Sequence, residues 1–151
     1  MDKSTSEIIA QHRGKEDLIS ILNEIQERYG CISEEQMIEI AQGLDISMGE
    51  VVEVATFYSF LSTKPLGKNI IRVCKSSPCY IKDYIKVIEI LEKELGIKAG
   101  ETTPDRKFTL QLVNCIGACD MAPAMMINHN LYGNLNSKRI KEILNEFKQN
   151  P

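Results

Sequence analysis

Four of the five cysteines in this chain lie in two short segments that each follow an apolar run. The first segment holds Cys74 and Cys79 in the pattern C-x4-C, and the second holds Cys115 and Cys119 in the pattern C-x3-C. The preceding runs, residues 70–73 and 110–113, have the composition of buried strands. If the two strands are neighbours that end at the same edge of a sheet, the four sulfurs come together there. The sequence therefore predicts a metal centre held by four thiolates.

The spacing of the cysteines bears on which metal is bound. Structural zinc sites prefer C-x2-C, although spacings up to x4 occur. A [2Fe–2S] rhombus is wider than one ion, and plant-type clusters use a C-x4-C element. Two wide loops favour [2Fe–2S], and Gly117 would let the second loop curl tightly and point N–H groups at sulfur. Zinc, and thiols that are free or joined as disulfides, remain alternatives.

Several further segments accompany the cysteine pairs at a specific joint spacing. They are Ala55-Thr56-Phe57-Tyr58, Lys64-Pro65-x-Gly67-Lys68, Gly100-Glu101-Thr102-Thr103-x-Asp105, Phe108-Thr109-Leu110, Ala122-Pro123 and Tyr132-Gly133-Asn134-Leu135. With these segments the chain resembles, from about residue 18 to residue 147, the small thioredoxin-like [2Fe–2S] ferredoxin subunit of NADH-oxidising complexes, the E-subunit family of NADH dehydrogenase. This family has relatives in NAD(P)-linked and electron-bifurcating hydrogenases and formate dehydrogenases.

The resemblance implies an electron-carrier subunit without a complete active site of its own. One [2Fe–2S] cluster would be held by Cys74 and Cys79 on one iron and by Cys115 and Cys119 on the other. It would exchange single electrons with FMN on a larger partner subunit, which also binds NAD(P)H. All-cysteine ligation predicts a low potential. A zinc-stabilised structural adaptor and a redox-sensing thiol protein are the alternative functions.

Composition and charge exclude several other classes of function. A chain of 151 residues with a formal charge of −3 has no basic field for nucleic acid or an anionic membrane. No apolar run approaches the roughly 20 residues that a membrane span needs. The N-terminal residues lack the apolar core of a signal peptide, so we expect a cytoplasmic protein, in which clustered cysteines are metal ligands more often than disulfides.

The first part of the chain, residues 1–62, predicts a small helical bundle. Thr5 or Ser6 could cap a short first helix, and apolar residues from Leu18 to Tyr29 form one helical face that ends at Gly30. Ser33 and Ser47 each open a further helix with a capping box. The resemblance implies that this module docks the flavin-bearing partner.

Some residues of the bundle have a plainer interpretation. Residues 55–58 and Phe60 are expected to be ordinary packing residues, and the lone Cys31 a small buried hydrophobe. His12 and His129 have no second ligand at metal-binding spacing, so both are expected to lie solvated on the surface.

Residues 68–151 alternate strand and helix in an order that is compatible with a thioredoxin-like α/β layer, and the resemblance implies that fold for the domain after the bundle. Ser77-Pro78 would begin a helix that runs to Leu95 and places Cys79 in its first turn, where the helix dipole favours a thiolate. Residues 104–107 form a turn, and a third strand at 124–128 and a hairpin follow the second cysteine pair. Asn136 caps the last helix.

Overall fold

The computed structural model describes residues 4–12 and 14–149. The chain forms two compact units, Met1–Pro65 and Leu66–Pro151. The division falls after Pro65, inside a segment rich in Pro and Gly. Each unit has its own apolar core.

The first unit is made of helices. Their bounds are α1 Thr5–Gln11, α2 Leu18–Tyr29, α3 Glu34–Leu44 and α4 Met48–Phe57, with a 3-10 turn at Lys15–Asp17. The apolar face of each helix is turned inward, and Ile21, Leu22, Ile25 and Ile40 are fully buried. Each such side chain contributes about 1.5–3 kcal/mol by leaving water, which holds these short helices together.

The helix ends follow the local signals in the sequence. Ser33 and Ser47 form the predicted capping boxes with Gln36 and Glu50. Gly30 ends α2 with a φ of 81°, in the left-handed region that residues with a Cβ rarely adopt.

The predicted cap of the first helix was wrong. Ser4, rather than Thr5 or Ser6, caps α1 with a capping box. The Ser4 hydroxyl accepts a hydrogen bond from Glu7 N, and the Glu7 carboxylate accepts one from Ser4 N. The reason is the position of Glu7, three residues after Ser4, while the Thr5 side chain is buried.

The packing interpretation of residues 55–60 holds only for Ala55. That side chain is buried, whereas 78% of Phe57, 42% of Tyr58 and 40% of Phe60 is exposed. The physical reason is that α4 ends at Phe57 and the backbone of Tyr58 is extended, so the aromatic rings leave the buried helix face. Cys31 was also predicted to be buried, but it is only half-buried, because it follows the helix-ending Gly30.

The second unit is a sheet with helices. Its elements are β1 Asn69–Cys74, α5 Ser77–Ile81, α6 Tyr84–Leu95, β2 Phe108–Val113, β3 Met125–Ile127, β4 Asn130–Tyr132 and α7 Ser137–Gln149. The strand order is β2-β1-β3-β4, with β1 parallel to β2 and the other pairs antiparallel. Alternate residues of β1, β2 and β3 pack with α6 and α7 in one core, for example Ile71, Leu110 and Ile127. The predicted thioredoxin-like α/β architecture is confirmed.

The helix predicted from Ser77 to Leu95 is broken. The chain forms α5 and α6, separated at Lys82 and Asp83. Asp83 adopts a left-handed conformation, with a φ of 62°, and its carboxylate caps α6 by accepting a hydrogen bond from Lys86 N. The N-cap of α5 is Ser76 rather than Ser77, which still leaves Cys79 in the first turn.

Two smaller features complete the unit. Arg106 in the predicted turn has a φ of 55°, a conformation that glycine adopts without strain. Asn136 caps α7, because its side-chain oxygen accepts a hydrogen bond from Arg139 N at 3.0 Å. Among the helices of the described residues, none is long and apolar enough to cross a bilayer.

Replacing Ser33 by Ala should lower the free energy of unfolding by about 1 kcal/mol, because Gln36 N loses its side-chain acceptor. Chemical denaturation followed by circular dichroism measures the shift. Ser20→Ala is the matched control. Ser20 lies exposed within α2, where alanine is a better helix former, so no loss is expected.

Candidate metal centre

The first cysteine pair is buried where β1 ends. Cys74 is the last residue of β1, and Cys79 follows in the first turn of α5. Their exposed fractions are 2% and 1%. Both lie in a small apolar cluster with Ala118, from the segment that carries the second pair, and Ala124, the residue just before β3. The short strand-to-helix connection therefore holds two thiols inside the protein.

The second pair lies on the connection that leaves β2. The parallel register of the strands sets Cys74 opposite Val113, two residues before Cys115. Cys115 and Cys119 are exposed, and their sulfurs are 3.7 Å apart. Gly117 between them has a φ of 80°, which lets the loop curl back as the sequence predicts. The pairing of β1 with β2 thus brings both cysteine segments to one sheet edge.

Backbone N–H groups point at three of the four sulfurs. Gly117 N lies 3.4 Å from Cys115 Sγ. Cys74 receives backbone hydrogen bonds from Ser76 and Ile116, and Cys79 receives one from Ala124. Such N–H···S bonds stabilise negative charge on sulfur. Apart from Gly117, these donors could not be found from residue type, because every residue other than proline carries a backbone N–H.

The two buried thiols differ in the direction of their pKa shifts. Burial acts to raise the pKa of Cys74, but the hydrogen bonds from Ser76, Cys79 and Ile116 together lower it. Burial raises the pKa of Cys79 to about 11, and the neighbouring Cys74 adds to this rise. The Cys119 pKa is raised because its thiol bonds to Cys115 and lies beside that sulfur's charge.

The prediction that the helix dipole favours Cys79 as a thiolate ligand remains a prediction. Burial acts in the opposite direction, because desolvation disfavours the charged form of the sulfur. The α5 helix is only five residues long, so its dipole is small as well.

The residues around the pairs close the site on its inner side. Tyr84, Ile116, Met121 and Ala122 pack against the cluster of Cys74, Cys79, Ala118 and Ala124. Gly133 lies directly behind Met121. A Cβ at residue 133 would approach the Met121 carbonyl oxygen to 2.8 Å.

The donor set fits a two-iron cluster. The four thiols form two interacting pairs, Cys74 with Cys79 and Cys115 with Cys119. Two irons that each take two thiolates need such a pairwise arrangement. The N–H groups that point at sulfur suit its anionic form.

The two histidines lie away from these pairs in the sequence. His129 is exposed, as predicted. The interpretation of His12 as a solvated side chain was wrong, because only 21% of it is exposed and its Nε2 lies 3.1 Å from Glu24 Oε2. This hydrogen bond joins the end of α1 to α2.

Comparison with known proteins identifies the class to which this fold and site belong. The sequence profile of the thioredoxin-like [2Fe–2S] ferredoxin family matches residues 5–148. The chain belongs to this family, so the predicted family and its [2Fe–2S] cofactor are confirmed.

The curated relatives are subunits of oxidoreductase complexes. The NADH-quinone oxidoreductase E subunit of Buchnera aphidicola (subsp. Baizongia pistaciae) is 42% identical over 133 residues, covering 88% of this chain and 78% of the relative. The NADP-reducing hydrogenase subunit HndA of Solidesulfovibrio fructosivorans is 32% identical over 130 residues, covering 86% of this chain and 76% of the relative.

Among solved structures, the chain is similar to an NAD+-reducing [NiFe]-hydrogenase in its H2-reduced state. The TM-score is 0.76 and the identity 21%, over 93% of this chain and 24% of that one. The chain thus corresponds to about a quarter of the hydrogenase chain. This likeness supports the fold.

Replacing Gly133 by Ala should destabilise the second unit by about 1–3 kcal/mol, because the added methyl overpacks against Met121. It should also speed the loss of visible absorbance when a chelator is added, since Met121 packs beside the cysteines. Thermal unfolding and chelator kinetics measure the two effects.

Gly49→Ala is the matched control for this substitution. Gly49 lies in α4, and a Cβ there would meet only the Ser47 hydroxyl oxygen, at 3.7 Å. Equal cluster loss in the two variants would contradict the proposed effect of Gly133 on the site.

Proposed function

We propose that this chain is an electron-transfer subunit in which Cys74 and Cys79 hold one iron of the cluster and Cys115 and Cys119 hold the other. The observation that carries the proposal is the arrangement of the thiols in two pairs at the sheet edge where β1 and β2 end. When bound, a [2Fe–2S] cluster supplies the ability to accept and release one electron.

The protein's own groups stabilise that charge and shield it. Gly117, Ser76, Ile116 and Ala124 direct backbone N–H groups at sulfur, which favours the more negative reduced state. Burial of Cys74 and Cys79 excludes water on the inner side, while the exposed Cys115 and Cys119 face outward. The outward side is where a redox partner can approach most closely.

The partner is a larger subunit that binds FMN and NAD(P)H. The chain exchanges single electrons with that flavin and performs no catalytic step itself, in a cytoplasmic complex that does not insert this chain into a membrane. Support comes from the relatives, whose names place them in an NADH-quinone oxidoreductase and an NADP-reducing hydrogenase.

The N-terminal helices dock this partner through their exposed aromatic residues. Phe57 and Tyr58 pack edge to face with ring centroids 5.1 Å apart, and Phe60 follows. The Gln26 side chain orders the backbone behind them. Its amide group donates to Phe60 O and accepts from Ser62 N, both at 2.5 Å. An ordered, exposed aromatic group is typical of an interface that is covered in a complex.

Replacing any one of Cys74, Cys79, Cys115 or Cys119 by Ala should remove most of the iron and acid-labile sulfide from anaerobically purified protein. The unsubstituted chain should carry two of each and give a rhombic S = 1/2 signal when reduced by dithionite. Metal analysis, sulfide assay and EPR provide the measurement, and circular dichroism should still report the helical unit.

Cys31→Ala is the matched control, because Cys31 lies in the first unit and outside both pairs. It should keep full iron and sulfide. A single zinc without sulfide, persisting after anaerobic cluster reconstitution, would contradict the proposal and favour a structural adaptor. Full cluster content in the Cys79 variant would overturn that ligand assignment.

Replacing Phe57 by Ser should weaken partner binding by about tenfold or more, because a largely exposed ring in the free chain would become buried in the complex. The amount of flavin that stays with the tagged chain during anaerobic purification reports this loss. Ile38→Ser is the control, since Ile38 is an exposed apolar side chain on α3. Equal flavin retention in both variants would contradict docking through Phe57.

A further inference from the structure

A second exposed apolar group begins one residue after Cys79. Exposed fractions are 62% for Tyr80, 78% for Ile81 and 46% for Ile85. Leu131 is the one other large apolar side chain exposed to this degree in the described part of the second unit. Tyr80 and Tyr84 have ring centroids 6.2 Å apart, and Tyr84 itself packs against the cysteine cluster. We call Tyr80, Ile81 and Ile85 the α5–α6 patch.

The break between α5 and α6 lies inside this patch. A single helix would run straight through Lys82 and Asp83, but Asp83 instead takes the left-handed conformation with a φ of 62°. This conformation carries a steric cost for a residue with a Cβ. The Asp83 carboxylate offsets part of this cost, because it accepts a hydrogen bond from Lys86 N and lies 3.0 Å from Lys86 Nζ. The bend that leaves Tyr80 and Ile81 exposed is therefore specified by local contacts.

The charges at the patch have the opposite sign to the chain as a whole. Residues 75–89 contain the three exposed lysines Lys75, Lys82 and Lys86 and two acidic residues, Asp83 and Glu89. This segment is therefore net positive in a chain of formal charge −3. An apolar centre with a basic border is complementary to an acidic surface with an apolar centre.

We propose that the α5–α6 patch docks an acidic one-electron carrier protein. The inference rests on the proposed function, and it gives the chain a contact besides the aromatic group of α4 and the exposed loop of Cys115 and Cys119. A carrier seated on Tyr80 and Ile81 lies next to the backbone of Cys79, one of the buried thiols. One electron then leaves the reduced chain and reduces the carrier, and the chain returns to its oxidised form.

Flavodoxin, an acidic protein with one FMN, is a suitable probe. The dithionite-reduced chain is freed of excess reductant and mixed with oxidised flavodoxin in a stopped-flow instrument, where the one-electron-reduced flavin absorbs in the red. One electron and one proton enter each FMN for each chain oxidised. The Lys82→Glu/Lys86→Glu double variant should react about tenfold more slowly at low salt. The difference should shrink at high salt, because salt screens exposed charges.

The control has the same change in net charge at a distance from the patch along the chain. Lys107→Glu/Lys148→Glu alters exposed lysines beside the start of β2 and at the end of α7, at the end of the strands opposite to the cysteines, and should slow the reaction much less than the Lys82/Lys86 variant. Ile81→Ser should slow the reaction at every salt concentration, since it removes apolar contact rather than charge. Equal rates in the Lys82/Lys86 and Lys107/Lys148 variants would overturn the proposal.

A binding measurement separates this inference from the proposed function. Methyl NMR of Ile81 and Ile85 should show shifts on addition of oxidised flavodoxin, whether or not electrons move. Loss of the cluster would contradict the proposed function but would not affect this binding test. The absence of methyl shifts in a chain that carries its cluster would overturn only the proposed docking at the α5–α6 patch. Sedimentation of the chain by itself should show no self-association through the patch. Self-association that the Ile81→Ser substitution abolishes would mean that the patch binds a second copy of the chain instead.

Discussion

The parallel pairing of β1 with β2 is the interaction on which the site depends. It sets Cys74 opposite Val113, so the connections that leave both strands start side by side. A shift of the register would move Cys115 and Cys119 along the sheet relative to the buried pair and exchange the faces of the side chains. The apolar core of the second unit fixes the register, because Ile71 and Leu110 pair directly and both are fully buried. The packing of the core therefore determines the geometry of the site.

Much of this architecture could be predicted because its signals are local. Ser33 and Ser47 begin two helices with capping boxes, and Gly30 ends another. Alternating apolar residues indicate β2. The break at Asp83 was missed because the apolar period continues on both sides of it. The raised pKa of Cys79 could not be predicted for a different reason. Its position in a helix turn follows from the sequence, but the burial that raises its pKa involves Ala118 and Ala124, which are distant in the chain.

The residues that carry the family resemblance have different structural surroundings in the two units. In the second unit, the segments that carry the family resemblance lie at the cysteines and at close backbone contacts such as Gly133 behind Met121. In the first unit, the resemblance includes Phe57 and Tyr58, whose rings contribute little to the core of the free chain. Packing within the chain does not explain why these rings are exposed. An interaction with another chain accounts for their exposure better.

The contrast between the buried and exposed cysteines has a consequence for biogenesis. Cys74 and Cys79 are closed off by the protein on the inner side, whereas Cys115 and Cys119 remain open to solvent. With these four residues as ligands, the exposed loop of Cys115 and Cys119 is the accessible route by which iron and sulfide would reach a folded chain. A partner that covers this loop would block the entrance. Cluster insertion then has to precede assembly, and a chain that docks empty would stay empty for the lifetime of the complex.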